Sequence, residues 1–144
     1  MCLSYDLTKP RADKIKAEAR KRGYIRVYKV CATNPYISTG VFSRVSSAGR
    51  MCQTRYKEGL RKAWGDKTDK NVGWYAFISH GGAKRYNPFH ESIKTCYAKP
   101  SWIKRLGGYD FCGHAAIFTH LCFPDWDKGD MTIREFRAMC KDKP

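Results

Sequence analysis

Between residues 112 and 122 the chain reads Cys112-Gly-His114…His120-Leu-Cys122, four potential zinc ligands within eleven residues. Cysteine thiolate and imidazole are the usual tetrahedral ligands of Zn²⁺. The spacing works against a shared ion. If the segment from His114 onward is one extended strand, His114 and His120 lie about 20 Å apart at roughly 3.3 Å per residue. Only a tight reversal near Ala115-Ala116 would bring them together, and no turn residue sits there. The expectation is no metal and no cofactor, with the convergence of Cys112, His114, His120 and Cys122 left to the fold.

A second stretch, Asp125-Trp-Asp127-Lys-Gly129-Asp130, has the acids of a calcium loop in the wrong order. An EF-hand needs a ligand at position 5, glycine at 6 and Glu at 12. Counted from Asp125 those places hold Gly129, Asp130 and Phe136. A third, Ser79-His80-Gly81-Gly82-Ala83-Lys84-Arg85, reads as a strand end, a glycine turn and a basic helix start near Ala83. Free amides at a helix start can hold phosphate, but the P-loop spacing is absent. The plain alternative is a strand-to-helix turn. His114 or His120 with a nearby Lys could in principle cleave a phosphodiester. Nothing in the spacing fixes such a pair, so no catalytic residue is assigned.

The remaining chemistry is cationic and aromatic. In Tyr24-Ile-Arg-Val-Tyr28 a two-residue period puts Tyr24, Arg26 and Tyr28 on one face of a strand and Ile25 and Val27 on the other. Bases stack on Tyr and phosphates pair with Arg, so the first face has the make-up of a nucleic-acid platform. The competing reading is ordinary cross-strand packing of tyrosines. Lys14, Lys16, Arg20 and Lys21 in the preceding segment, and Arg44, Arg50 and Arg55 in the following one, extend the cationic set.

These side chains need elements to carry them. Residues 9–22 read as a helix with Thr8 as cap, Pro10 in the first turn and Gly23 as the stop. Its apolar stripe is thin (Ala12, Ile15, Ala19), so most of its surface is charged. Residues 24–31 read as a strand, 32–40 as a loop and 41–56 as a hairpin turning at Ser47-Ala48-Gly49. Residues 57–71 are polar and basic and read as a long mobile loop with at most a helical turn. Residues 72–79 and 115–123 are apolar on both faces, the pattern of central strands. Residues 92–98 form a further strand, and 101–111 a short turn or helix ending in Gly107-Gly108. At the C-terminus Thr132 and Glu135 make a capping box ahead of Ile133, Phe136, Met139 and Cys140, a docking helix. Strands and helices mix without regular alternation. The fold class is therefore α+β: a mixed or largely antiparallel sheet with an N-terminal basic helix and a C-terminal docking helix.

Bulk composition bounds the function. The 144 residues fit one domain, 1–144, and 28 Lys+Arg against 13 Asp+Glu give a formal charge of +15. Such a charge attracts polyanions and repels copies of the chain. The aromatic content of 14% excludes a disordered basic tail, which would lack aromatics. No apolar run is long enough for a membrane span, and no export signal follows Met1. The seven cysteines are odd in number, irregularly spaced and lack a C-x-x-C pair. They read as reduced thiols of a cytoplasmic protein, most of them small core residues.

Arg26-Val-Tyr-Lys-Val30, then Tyr56-Lys-Glu-Gly59-Leu-Arg-Lys-Ala63-Trp-Gly65, then Gly73-Trp-Tyr-Ala-Phe77 with Ala83 following, resemble a small uncharacterised α+β domain of phage and bacterial proteins. The resemblance spans residues 24–98. It implies a virus-encoded accessory protein, working in the host cytoplasm, and supplies no activity. Gly73 to Phe77 also resembles, more faintly, a strand of ADP-ribosyltransferase-like folds, which would imply nicotinamide stacking on Tyr75. The first-strand His-Gly-Thr of those folds is replaced here by Cys31-Ala32-Thr33, and Glu135 sits in the capping box.

The expected function is a small non-enzymatic protein engaging RNA or DNA through Lys14, Lys16, Arg20, Lys21, Tyr24, Arg26, Tyr28, Arg44, Arg50 and Arg55. The alternatives are an inhibitor docking on an acidic surface of a host enzyme, and an ADP-ribosyltransferase-like enzyme or nuclease.

Overall fold

A computed structural model describes residues 3–33, 43–46, 53–55, 57–63, 65–86, 91–125 and 128–141, with the backbone alone at 32, 33, 43–46, 53–55, 91 and 92. Helix α1 (Lys9–Arg22) has the predicted bounds. Gly23 stops it in the left-handed conformation (φ 82°), donating its N–H to the Ala19 carbonyl. Thr8 holds the N-cap position by its backbone: its carbonyl accepts from Ala12 N–H at 2.9 Å, and its side chain caps nothing.

The strands are β1 (Tyr5–Asp6), β2 (Ile25–Thr33), β3 (Ser43–Ser46), β4 (Gln53–Arg55), β5 (Gly59–Lys62), β6 (Trp74–Phe77), β7 (Glu91–Ala98), β8 (Ile103–Tyr109), β9 (Gly113–Phe118) and β10 (His120–Phe123). Helices α2 (His80–Tyr86) and α3 (Ile133–Met139) and a 3-10 turn (Pro100–Trp102) complete the described elements. The sheet runs β1-β8-β9-β6-β2-β7-β10-β5, with the β3–β4 hairpin attached to β2. The pairings along it are antiparallel. The fold is thus α+β and mostly sheet, with a helix towards each end.

Its shape follows from one connection. Only Thr119 separates β9 from β10, yet β6, β2 and β7 lie between them in the sheet. Four flat strand steps of about 4.8 Å would put them roughly 19 Å apart. Two peptide links cannot span that, so the sheet curls until its path returns on itself. The concave interior takes Val27, Cys31, Trp74, Cys96, Phe118, Leu121 and Phe123, all at most 1% exposed. The second cluster, with Phe77, Ala83, Ala115 and Ile117, lies under α2. Along β6, Trp74 and Ala76 join the first cluster while Phe77 joins the second. Both faces of β6 and β9 are covered, which is why their sequences lack polar alternation.

α1 closes on the first cluster through Ala12, Ile15 and Ala19. α3 docks through buried Phe136, whose ring meets Tyr97 at 5.6 Å and Trp102 at 6.3 Å. The capping box is present: Glu135 N–H donates to Thr132 Oγ1 at 3.2 Å, and Thr132 N–H to Glu135 Oε2 at 2.9 Å. The predicted β3–β4 hairpin pairs Val45 with Thr54; its turn lies outside the described residues.

Four expectations are corrected. Residues 57–71 contain β5, which pairs with β10 although Lys62 and the polar flank hide it. Between Asp66 and Asn71 the stretch is held by hydrogen bonds. Asp66 Oδ1 accepts from Thr68 N–H at 2.9 Å, Asp69 Oδ1 from Asn71 N–H at 2.9 Å, and Lys104 Nζ donates to the Asp69 and Val72 carbonyls. Residues 103–109 form a strand, since Gly107 and Gly108 serve close packing: a Cβ at Gly107 would lie 2.2 Å from the Tyr5 carbonyl oxygen. Residues 115–123 are two strands broken at Thr119, whose N–H turns to the Trp102 carbonyl at 2.8 Å. Of the loop expected at 32–40, Ala32 and Thr33 belong to β2 and pair with Arg44 and Ser43, and the remainder lies outside the described residues.

Candidate functional site

β2 alternates as predicted. Ile25, Val27, Lys29 and Cys31 are buried, while Arg26 is exposed and Tyr24 and Tyr28 are partly covered. The second set faces a groove of about 240 Å³ between β2 and α1, which Glu18, Arg22, Tyr24, Arg26, Tyr28 and Ile78 help to line. Two cationic and two aromatic side chains therefore share one concave surface with Glu18. Both tyrosines are also packed: Tyr24 meets Tyr97 edge-on at 5.6 Å, and Tyr28 meets His80 edge-on at 5.4 Å. The packing role and the groove-lining role coexist.

The helix sorts its own cations. At 3.6 residues per turn, Arg11, Lys14, Glu18 and Arg22 form a row on one side of the Ala12-Ile15-Ala19 stripe. Lys9, Asp13, Lys16 and Arg20 form the row on the other side. The charges agree. Asp13 is held below its ordinary pKa first by its hydrogen bond from Lys9 and then by the fields of Lys16 and Arg20. His114, at the start of β9, has its pKa lowered by burial and then by Arg11. Lys14 is exposed on the groove row, and Lys21 is exposed on the outer surface of the helix. Lys16 and Arg20 lie on the far flank, away from Tyr24, Arg26 and Tyr28.

The hairpin arginines are further along the sheet. Arg44 pairs with Ala32 and with Arg55. Ala32 is six residues from Arg26, about 20 Å along an extended strand. Arg50 lies outside the described residues. Arg22 is a groove cation outside the set expected from the sequence. Its signal is its place four residues after Glu18 and four before Arg26, at the helix end where the chain turns into β2.

The other sequence candidates separate. The break at Thr119 puts His114 opposite Gly108 of β8 and His120 opposite Lys62 of β5. Among the described residues no three His, Cys, Asp or Glu side chains stand together as a metal site would need. Cys122 instead faces Cys140, Sγ to Sγ 3.8 Å, between β10 and the end of α3. Burial, then Cys140, pushes the Cys122 thiol well above its ordinary pKa. α2 begins at His80 rather than near Ala83, and Ser79 Oγ takes the Gly82 N–H at 3.1 Å. A Cβ at Gly82 would lie 2.5 Å from the Cys112 carbonyl oxygen, so this glycine serves packing. The Tyr75 hydroxyl donates to the Asn71 carbonyl. In the stretch first compared with a calcium loop, Asp130 accepts the Thr95 N–H at 3.2 Å.

Among the described residues no helix is long and apolar enough to cross a membrane. Comparison with protein-family models, with curated proteins and with solved structures finds no match to this chain.

Proposed function

We propose that this protein is a non-enzymatic nucleic-acid-binding protein whose groove between α1 and β2 takes the sugar-phosphate backbone. One observation carries the reading: Arg22 and Arg26 line the same concave surface as Tyr24 and Tyr28. The guanidinium groups neutralise phosphates and the tyrosines offer ring surface to bases. Lys14 and Arg11 extend the positive row along α1, and the overall charge of +15 draws a polyanion in. Glu18 sits within this row and repels phosphate locally, which limits how many contacts the groove makes. Lys16 and Arg20 add to the long-range field only.

The test is fluorescence anisotropy with labelled single-stranded RNA, single-stranded DNA and duplex DNA over a salt series. Affinity should fall linearly in log–log form, by about 0.7 to 0.9 in slope for each phosphate neutralised. Arg22→Gln with Arg26→Gln should lower that slope by about two, at roughly one per lost contact. Lys16→Gln with Arg20→Gln should leave the slope unchanged. Equal effects of the two pairs, or binding indifferent to salt, would overturn the reading. A partner recovered from cells that survives nuclease treatment would replace it with the acidic protein surface.

A further inference from the structure

A second cavity, of about 320 Å³, opens where β9 bends into β10. Its lining includes Lys62 at the end of β5, Asp66 and Lys67 from the following loop, Lys104 of β8, and Thr119 and His120 at the bend. It shares no lining residue with the α1–β2 groove.

Asp66 lines this cavity with its charge intact, since its hydrogen bonds from Thr68 hold its carboxyl below the ordinary value, and it opposes an anion there as Glu18 does in the groove. Asp66 Oδ1 accepts from both the N–H and the hydroxyl of Thr68, at 2.9 and 2.8 Å. Asp69 Oδ1 accepts the Asn71 N–H. Lys62 and Lys67, by contrast, have no carboxylate within 4.0 Å among the described residues. Both are exposed and line the same cavity, and Lys67 lowers the Lys62 pKa. His120 is fixed in place: its ring lies 5.4 Å from that of Trp102, and Nδ1 engages Thr119 Oγ1 at 2.9 Å. Nε2 is left as the other ring nitrogen. Burial lowers the His120 pKa, with Lys62 and Lys67 adding to it. Lys104 spends two N–H donors on the Asp69 and Val72 carbonyls, at 2.7 and 2.6 Å, and an ammonium has three.

Lys62 at the end of β5 and Lys67 of the following loop are like charges lining one cavity, and an anion placed between them lessens their repulsion. A doubly charged group with several acceptor oxygens answers the two lysines and the imidazole together, which a carboxylate does less fully. The volume lies at the lower end of small-molecule sites. We propose that this cavity binds a phosphate monoester, held by Lys62, Lys67 and His120 with Lys104 adding charge.

The monoester could be a free small molecule or the end of a nucleic-acid chain, and the two are separable. The first probe is inorganic phosphate added to isotope-labelled protein at constant ionic strength, with the ring signals of His120 and His114 followed across pH. The expected result is a saturable shift of His120 and a raised His120 pKa, because a nearby anion favours the imidazolium. His114, also depressed by burial but facing Arg11, is the internal control and should not respond. Lys62→Gln with Lys67→Gln should weaken the response by at least about tenfold, since two charge-assisted hydrogen bonds are lost. A shift that does not saturate, or that His114 shares, overturns the proposal. A 5′-phosphorylated oligonucleotide that shifts His120 where its 5′-hydroxyl counterpart does not supports the site and assigns the phosphate to a chain end. A shift from a nucleoside monophosphate but from neither oligonucleotide supports it as a free-ligand site. A response to inorganic phosphate but to none of these esters overturns the monoester assignment.

Discussion

Lys29, only 3% exposed, donates its ammonium to the carbonyl of Tyr75 at 2.6 Å, from a strand face otherwise given to the apolar interior. The ammonium also lies 5.9 Å from the centre of the Trp74 ring. A buried charge persists only when its donors are used. Lys29→Met keeps the aliphatic stem and leaves the Tyr75 carbonyl without this donor. The expected loss is about 1–3 kcal/mol, read as a lower urea midpoint. An unchanged midpoint would show that the ammonium is dispensable.

Stability should be flat over a middle pH range and fall on both sides. His114 and His120 have lowered pKa values in the fold, burial being the first cause for each. Below about 6.5 the unfolded chain therefore binds more protons, and stability is lost as pH falls through the depressed values. Cys96, Cys122 and Tyr97 are shifted the other way, again first by burial. Their stabilisation is complete below the unfolded thiol value, about 8.5, and is lost as pH rises towards the raised values. Urea midpoints at half-unit pH intervals should give this plateau. A midpoint that climbs steadily from pH 7 to 10 contradicts it.

Gly107 is required because β1 crosses it closely. An added Cβ would meet the Tyr5 carbonyl oxygen at 2.2 Å and the Leu3 side chain at 2.8 Å. Gly107→Ala should detach residues 3–6 from β8 and cost about 1–3 kcal/mol, the usual range for overpacking. Hydrogen exchange should locate the effect: the Ser4 and Leu7 amides, bonded to the Gly108 and Leu106 carbonyls, lose protection first. Retained protection at both would refute this.

Phe111 sits between β8 and β9 with φ 69°, and its side chain is 95% exposed. The left-handed conformation costs a bulky residue about 1–2 kcal/mol, and exposure gives back no burial. Phe111→Gly should raise stability by about 0.5–1 kcal/mol after the glycine's own entropy cost. Thermal melting checks the sign. A lower Tm would mean that the ring contributes to the fold.

Local sequence determined a good part of this molecule. The bounds of α1 follow from Pro10, Gly23 and a three-residue apolar stripe; the capping box of α3 follows from Thr132 and Glu135; the facing of β2 follows from strict alternation. Each of these signals acts within a turn or a strand pair, so it survives without knowledge of the rest of the chain. Nothing local reveals that the chain breaks at Thr119, because neither Thr119 nor its neighbours are turn residues. The break is imposed by the Trp102 carbonyl and by sheet closure, and it sends His114 and His120 to different sites. The grouping of charges is local in one place and non-local in another: Arg22 meets Arg26 where Gly23 turns the chain from α1 into β2, while Lys16 and Arg20 lie on the other flank of the helix. Lys62, Lys67, Lys104 and His120 are spread over the sequence and meet only where β5, β8 and β10 converge. The sequence by itself set the charge and the periodicities; the curled sheet decided which cations share the second cavity, because long-range strand pairing, not spacing along the chain, brings them together.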